Sequence, residues 1–436
     1  MPELALNSFL FLAGVGALLV IFLPFSPMTV DFVLVPRNQV VRIYRYRHFF
    51  WAIGLLALGT LLLRGLAGAI GPFAEGAAAL PFPAGSTDPF WLWLTLGSGA
   101  FLAFLFWSGY VPYVMTPPEG QQILSAEEGD ELLDPDTHVL GLFHNEETRA
   151  YPRSLLARPH YLHDELGGHP VTVSYCILCN SGIAFEAELD GRPLNLRALT
   201  ATNNNIIFFE PERGNFIQQL DGRIFAGPDE GRELQALPLL LTTWAEWKAL
   251  HPETRVRFAP PRTLRDRMVN WMLQKLIPLE KLTRRRSPWH RLEAPVDDRL
   301  PAMSFVLGVE QGGERRAYPV DIAKKKGVIQ DTLGGEPLVV LYDAASDVGS
   351  VFSRRLDAQT LRFEPYRLEQ EGIVARDLET GSLWDIHGRA REGGLAGRNL
   401  TELPHFNKLF WFAWAHFKPD TKVFAETQPA EQRKAA

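Results

Sequence analysis

Tyr175-Cys176-Ile177-Leu178-Cys179-Asn180 contains the only two cysteines of a 436-residue chain, and they are spaced C-x-x-C. The residues before it, Gly167–Ser174, have the pattern of a Gly-Gly turn that leads into a β-strand. We therefore expect both thiols where this strand ends and the chain turns. Two cysteines cannot form a disulfide framework, but they can form one local bridge or a pair of thiolates.

Length and composition limit the classes of protein that fit. A chain of 436 residues is expected to fold as two or three domains. Hydrophobic residues make up 46% of the chain and are concentrated in the first 117 residues. The net charge of -6 gives no positive field that would attract nucleic acid, so we expect no nucleic-acid partner.

Three apolar runs lie near the amino terminus, at about Ser8–Ser26, Phe49–Ile70 and Phe90–Met115. A helix that rises about 1.5 Å per residue needs roughly 20 residues to cross about 30 Å of hydrocarbon, and each run is long enough. The sequence therefore predicts a multi-pass protein of the cell membrane, with the lipid bilayer as its partner. Arg64 interrupts the second run and must reach the interface or a polar neighbour.

The side of the membrane stays open. The loop Pro27–His48 carries four arginines against the single acidic residue Asp31. The positive-inside rule would place this loop, and after three spans the large carboxy-terminal part, in the cytoplasm.

The carboxy-terminal part repeats itself at a spacing of about 167 residues, with slips of one residue. Arg149-Ala150-Tyr151-Pro152 recurs as Arg316-Ala317-Tyr318-Pro319, and Asp164–Gly168 recurs as Asp331–Gly335. Such regular self-similarity predicts the duplication of one domain. Further matching pairs are Gly222-Arg223 with Gly388-Arg389, Leu237-Pro238 with Leu403-Pro404, Trp244 and Trp247 with Trp411 and Trp414, and His251–Thr254 with Lys418–Thr421.

Each copy has short β-prone runs followed by an aromatic stretch with helical spacing, Leu240–Leu250 and Lys408–Phe417. The predicted fold class is α+β, with a three-helix transmembrane segment followed by two homologous β-rich domains that each end in a tryptophan-containing helix. The predicted boundaries are 1–117 for the membrane segment, 118–258 for the first repeat domain, 259–296 for a basic amphipathic linker, 297–428 for the second repeat domain, which has no cysteine, and 429–436 for a disordered tail.

The two copies differ where chemistry could occur. Cys176 lies opposite Asp343, and Cys179 lies opposite Ser346. Asn203-Asn204-Asn205 has no asparagine counterpart in the second copy. These differences predict one copy with a site and one structural partner.

These elements resemble a bacterial and archaeal family known as a domain of unknown function, numbered 3179. The similarity covers about 145–258 and, more weakly, about 312–425, and it implies two tandem copies of which the second is degenerate. Its family members commonly carry an export signal, which favours the outside for this domain and opposes the arginine count. Two positions depart from the family pattern, with Ile177 for a proline and His163 for an asparagine. The matching elements are Tyr151-Pro152, His163–Gly168, Tyr175–Cys179, Asn203–Asn205, Gly227–Leu234 and Trp244–Thr254.

Three interpretations of the cysteine pair remain open. Cys176 and Cys179 could be catalytic in thiol redox chemistry, because cysteines three residues apart can close a disulfide before a helix or tight turn, and a helix amino terminus lowers a thiol pKa. The same pair could bind a soft or borderline metal ion, Cu or Zn, with His163 and His169 as further ligands. The thiols could also be buried without a catalytic role in a tandem binding or scaffolding module. Whether the chain is an enzyme is therefore left open.

Polar side chains near the cysteines are candidates for binding a small ligand. Asn203 and Asn205 present amides on a β-prone stretch, and Tyr175 directly precedes Cys176. The identity of a ligand or protein partner does not follow from these residues.

The linker is strongly basic, and within it 262–286 combines arginines and lysines with an apolar helical stripe that includes Trp271. A basic amphipathic helix with a tryptophan is typical of segments that lie on an anionic membrane surface. The alternative is a helix that packs on the domains and exposes its basic face.

Overall fold

The computed structural model describes residues 2–26, 35–70, 89–117, 120–156, 158–237, 239–259, 263–276, 284–368 and 372–425. The predicted tail 429–436 lies outside these residues, as do 260–262 and 277–283 of the predicted linker. The chain divides into two compact units, one formed by Met1–Thr116 with Leu199–Thr202 and the other by Pro117–Ala198 with Asn203–Ala436.

The first unit contains three helices that are long and apolar enough to span a membrane, over Glu3–Phe25, Arg47–Ala67 and Phe90–Gly109. They coincide with the three apolar runs of the sequence. Part of the predicted loop between the first two runs is helical as well. The helices are α1 (Pro2–Phe22), α2 (Arg37–Arg45), α3 (Arg47–Ile70), α4 (Pro89–Gly109) and α5 (Val111–Val114).

Glycines let α1 and α3 approach closely. A Cβ added at Gly14 would lie 2.6 Å from Leu58, and one added at Gly54 would lie 2.6 Å from Leu18. Close approach through small residues is typical of helices that pack in lipid. Arg64 has a polar neighbour on α1, because its Nε donates a hydrogen bond to Asn7 Oδ1 over 3.1 Å.

The β-rich body begins with a first segment of strands and short helices. Its elements are β1 (Gln122–Leu124), α6 (Ala126–Asp130), β2 (His138–His144), β3 (Glu147–Pro152), α7 (Arg153–Leu156), β4 (Tyr161–Leu166), β5 (His169–Cys176), β6 (Ser181–Glu186), β7 (Glu188–Leu189), β8 (Arg192–Pro193), β9 (Arg197–Thr202), β10 (Asn205–Glu210), β11 (Asn215–Gln218), β12 (Ile224–Ala226), β13 (Ala236–Leu237), β14 (Leu239–Thr243), α8 (Trp244–Leu250), β15 (Arg255–Phe258) and α9 (Leu264–Leu276).

A second segment follows with a similar order of elements. They are β16 (Phe305–Gln311), β17 (Glu314–Pro319), α10 (Val320–Lys326), β18 (Val328–Leu333), β19 (Glu336–Asp343), β20 (Val348–Ser353), β21 (Arg355–Leu356), β22 (Gln359–Thr360), β23 (Phe363–Leu368), β24 (Ile373–Asp377), β25 (Leu383–Asp385), β26 (Ala390–Glu392), β27 (His405–Phe410), α11 (Trp411–Phe417) and β28 (Lys422–Val423).

The strand pairing of the two segments corresponds. The hairpin β2–β3 matches the hairpin β16–β17. The antiparallel meander β4–β5–β6 matches β18–β19–β20. The last strand of each segment runs parallel to its first hairpin, β15 beside β3 and β28 beside β17.

Buried tyrosines and tryptophans are fixed in the same way in both segments. Tyr151 donates to Asp164 and Tyr318 donates to Asp331, each over 2.9 Å. The indole of Trp247 donates to Thr254, and the indole of Trp414 donates to Thr421, each over 2.8 Å. These bonds satisfy polar groups that burial would otherwise leave unpaired.

The predicted aromatic helices begin later than expected. Residues 239–243 form β14, which pairs with β2, and the helix starts at Trp244 because Thr243 and Glu246 form a capping box. Residues 405–410 likewise form β27, and α11 starts at Trp411. The prediction that each segment ends in the helix is also wrong, since β15 and β28 follow and complete the sheets.

Side chains from both segments fill one common hydrophobic core. Val139, Trp244 and Trp247 of the first segment belong to the same buried cluster as Val339 and Trp384 of the second. The body of the protein is therefore stabilised by burial across the two segments as well as within each.

Candidate functional site

The two cysteines lie at the ends of a hairpin turn, as the sequence predicts. Cys176 is the last residue of β5 and pairs with Ser181, the first residue of β6, so that residues 177–180 form the turn. Asn180 closes this turn with a φ of 54°, a left-handed conformation that asparagine adopts more readily than most residues.

A buried polar network surrounds the sulfur of Cys179. Its Sγ lies 3.0 Å from the Ser181 hydroxyl and accepts a hydrogen bond from Asn205 Nδ2 over 3.2 Å. Asn205 is itself held by Gln219, whose Oε1 accepts from the same amide over 2.6 Å. Gln218 completes the network by donating to Asn205 Oδ1 over 2.6 Å. Each of these side chains is at most 2% exposed, so the network is almost completely shielded from solvent.

The two thiols have different environments. Cys176 Sγ donates to the carbonyl oxygen of Asn204 over 3.4 Å, and Cys179 Sγ lies 4.0 Å from the carbonyl oxygen of Cys176. Burial raises the pKa of Cys176. Burial also opposes ionisation of Cys179, but hydrogen bonds from Cys176, Ser181 and Asn205 outweigh it and lower the pKa of Cys179. Of the two thiols, Cys179 is therefore the one that ionises more readily.

The second segment builds the same turn without sulfur. Asp343 stands where the first segment has Cys176, and its carboxylate accepts the Ser346 backbone N–H over 3.0 Å and the Ser346 hydroxyl over 2.6 Å. Tyr342 donates to Asp347 over 2.7 Å, as Tyr175 donates to Asn180 over 2.6 Å. The turn geometry is thus stable with a carboxylate and a hydroxyl in the two cysteine positions.

A strand of the second segment covers the cysteine turn. The backbone N–H of Phe410 donates to the carbonyl oxygen of Cys179 over 3.1 Å. Asn180 Nδ2 donates to the carbonyl oxygen of Lys408 over 2.5 Å. Both contacts lie on β27, so this strand is hydrogen-bonded to the cysteine turn.

The three asparagines of the predicted ligand site bind their own chain. Asn203 Oδ1 accepts the backbone N–H of Glu293 over 2.8 Å. Asn204 makes two bonds with the backbone of His290, accepting over 2.7 Å and donating over 2.8 Å. Asn205 faces Cys179, and the hydroxyl of the third candidate, Tyr175, is bound to Asn180 as described above. Asn204 and Asn205 thus position the cysteine turn and the segment around His290.

The structure places both candidate metal-ligating histidines away from the sulfurs. His163 Nδ1 lies 3.1 Å from the hydroxyl of Thr172, which is four residues before Cys176, or about 13 Å along an extended strand. Burial lowers the pKa of this histidine. His169 is exposed at the start of β5, about 23 Å from Cys176 on the same scale. Among the described residues no group of three or more His, Cys, Asp and Glu side chains is arranged to hold a metal ion.

Sequence reasoning missed the residues that surround Cys179. Ser181, Gln218 and Gln219 were not among the candidates. One available signal was the pair Gln218-Gln219 at the end of a β-prone run, because two consecutive glutamines there cannot both face solvent.

No curated protein and no solved structure matches this chain. One family description, "Protein of unknown function (DUF3179)", matches residues 110–421. This single match includes the cysteine turn and both β-rich segments. The chain therefore belongs to the DUF3179 family.

Proposed function

We propose that this chain is a membrane-anchored protein whose Cys176 and Cys179 form a reversible dithiol. The anchor is supported by the three apolar helices of the first unit. The dithiol is supported by the placement of both cysteines at one hairpin turn and by the buried hydrogen bonds of Ser181 and Asn205 that lower the pKa of Cys179. Strongly perturbed groups held by a specific polar network are typical of functional sites.

We infer further that the two β-rich segments arose from one duplicated unit. The matching strand order, the paired tyrosine and tryptophan bonds and the spacing of 167 residues support this. The second segment then serves as an internal comparison for the first, because it has kept the fold and lost the sulfurs.

The observation that carries the dithiol proposal is the turn Asp343–Ser346. It adopts the same geometry as Cys176–Cys179 with ordinary oxygen groups. Folding of the turn therefore does not require sulfur. A bridge across so short a loop would also add little stability, because it removes little chain entropy. A chemical role explains the two thiols better than a structural one.

The reaction exchanges the dithiol with a disulfide of a partner thiol compound or protein. The Cys179 thiolate attacks one sulfur of that disulfide, and the other sulfur leaves as a thiolate that takes up a proton. Cys176 then loses its proton and attacks the Cys179 sulfur, which forms the internal bridge and releases the second partner thiol. The chain loses two electrons and the Cys176 proton, and the partner disulfide gains the two electrons and takes up two protons, one of which comes from solvent and replaces the proton that Cys179 lost on ionisation.

The test is a redox titration of the full chain in lipid nanodiscs, with free thiols counted by mass after alkylation. We expect one internal disulfide that forms and breaks reversibly in the folded protein. Cys176→Ser and Cys179→Ser should each abolish the disulfide. Each should leave the free energy of unfolding within about 1 kcal/mol of wild type. Thiols that oxidise only after unfolding would overturn the proposal and favour a membrane-tethered binding or scaffolding module.

A second candidate is a soft metal ion on the same two sulfurs. Paired thiolates select Cu(I) or Zn²⁺, and the depressed pKa of Cys179 favours metal binding. The described residues provide two sulfurs without a third ligand, which suits Cu(I) better than a tetrahedral Zn²⁺ site. Competition of the reduced chain with a Cu(I) chelator tests this. Equal copper retention by wild type and Cys179→Ser would refute it.

We also propose that α9 lies on the membrane surface. Its buried side contacts the body, because Val269 is 1% exposed and Asp266 pairs with Arg158 over 2.8 Å. Its other side exposes Leu264 and Trp271, together with basic residues at helical spacing. An exposed stripe of apolar and basic residues on a helix fits an anionic lipid surface.

A further inference from the structure

A partly enclosed cavity of about 140 Å³ lies where the two β-rich segments meet. It does not include either cysteine. The volume corresponds to roughly four to five water molecules. A ligand of this cavity would therefore have only a few non-hydrogen atoms.

The two segments contribute equivalent positions to this cavity, each pair separated by 167 residues. The two residues of each pair differ in chemistry, and both segments contribute apolar as well as polar side chains. The pairs are His138 with Phe305, Asn180 with Asp347, and Leu241 with Lys408.

Positive charge predominates around the cavity. Lys408 and Lys324 both pair with the carboxylate of Asp347, so this single negative charge faces two ammonium groups. Arg153 adds a third cation. The pKa of His138 is lowered by its burial and next by the charges of Arg153 and Lys408, which is consistent with a positive field.

The guanidinium of Arg153 is available for a ligand. Within the part of the chain that the structure describes, this side chain makes no hydrogen bond or ion pair, although it is partly buried and lines the cavity. A planar guanidinium presents two parallel N–H donors that match a carboxylate. Phe305, Leu241 and Val348 line the cavity with apolar surface that suits a short hydrocarbon chain.

We propose that this cavity binds a small monocarboxylate, with its carboxylate on Arg153 and its carbon chain against Phe305 and Leu241. Lys408 provides additional positive potential. Asn180 offers a side-chain amide at the cavity wall, and it directly follows Cys179. Binding there is chemically independent of the thiols.

The experiment is isothermal titration calorimetry of the full chain in lipid nanodiscs with propionate and, separately, with inorganic phosphate. We expect saturable binding of propionate that Arg153→Gln weakens at least about tenfold, because a charge-assisted bidentate bond is lost. Arg153→Lys keeps the positive charge but loses the planar guanidinium. Its affinity for propionate should therefore lie between those of wild type and Arg153→Gln. The matched control is Arg192→Gln, an exposed arginine outside the cavity, which should bind like wild type.

The unfolding midpoint of each variant is measured alongside binding. Arg153 has no side-chain bond in the described residues, so its loss should leave the fold intact. Propionate binding that Arg153→Gln retains at full affinity would overturn the site. Tighter binding of phosphate than of propionate would overturn the carboxylate class, and absence of propionate binding to wild type would overturn the proposal as a whole.

Discussion

Asn205 donates its side-chain amide to the sulfur of Cys179 over 3.2 Å, and this bond joins β10 to the cysteine turn. Asn205→Ala removes a donor that stabilises the thiolate, so the pKa of Cys179 should rise. It also leaves Gln219 Oε1 with one buried partner fewer, and stability should fall by about 1–3 kcal/mol. An ultraviolet thiolate titration and an unfolding curve measure the two effects.

The control for this prediction is Asn203→Ala, in the turn between β9 and β10 that directly precedes Asn205. Asn203 bonds to the backbone of Glu293 and not to sulfur. Its loss should cost stability without moving the thiolate titration. An equal shift of the thiolate titration in both variants would contradict the role of Asn205.

Two glycines allow the tryptophan helices to pack on the sheets. A Cβ added at Gly141 would lie 2.2 Å from the Trp247 ring, and one added at Gly308 would lie 2.5 Å from the Trp414 ring. Gly141→Ala and Gly308→Ala should each destabilise the protein by about 1–3 kcal/mol through overpacking. Thermal unfolding measures this. Gly394→Ala, where the nearest atom is 3.7 Å away, should be close to neutral.

Much of the fold was predictable from local pattern. The Gly-Gly turn and the β-prone run in Gly167–Ser174 predicted that Cys176 would end a strand, and the structure agrees. The helices start at Trp244 and Trp411, later than the sequence predicts, and for the first the reason is that a short leucine-rich stretch such as Leu239–Thr243 fits a buried strand and a helix equally well. The capping box of Thr243 and Glu246 marks the start of the first helix, whereas the second has no side-chain cap.

The site was only partly predictable, because its remaining groups come from distant parts of the chain. Gln219 reaches Ser181 across 38 residues, and Lys408 reaches Asn180 across 228. Such contacts depend on how strands and segments pack, and polar side chains at these positions leave no periodic signal. His169 is the converse case, because nearness in sequence along an extended strand still leaves this histidine about 23 Å from Cys176.

His160 should make stability depend on pH. Burial lowers the pKa of His160 to about 4, and the nearby Arg158 contributes to the shift. His160 therefore takes up a proton near pH 6.5 in the unfolded chain but only near pH 4 in the folded chain. The free energy of unfolding falls as pH decreases through this range. His160→Asn removes this term, and asparagine tolerates the φ of 76° at this position.

Unfolding midpoints of wild type and His160→Asn at about pH 7 and about pH 5 test this prediction. The wild type should lose more stability than the variant on acidification. Other histidines, such as His251 with a pKa of about 4, are common to both proteins and cancel in the comparison. An equal acid loss in the two proteins would show that His160 does not contribute.

The exposed face of α9 gives a direct test of membrane contact. Trp271 is 62% exposed, and Leu378 in the second segment is 48% exposed. Trp271→Cys and Leu378→Cys, each made in a chain that also carries Cys176→Ser and Cys179→Ser, introduce a single thiol for a nitroxide spin label. In nanodiscs with anionic lipid, the label at 271 should collide with oxygen more often, and with a water-soluble nickel complex less often, than the label at 378. This follows because an amphipathic helix on a bilayer places its apolar side at the acyl boundary.

Replacing the anionic lipid with a neutral lipid should weaken the difference between the two labels, since part of the attraction is between basic residues and the surface charge. Identical collision profiles at the two positions would mean that α9 faces water.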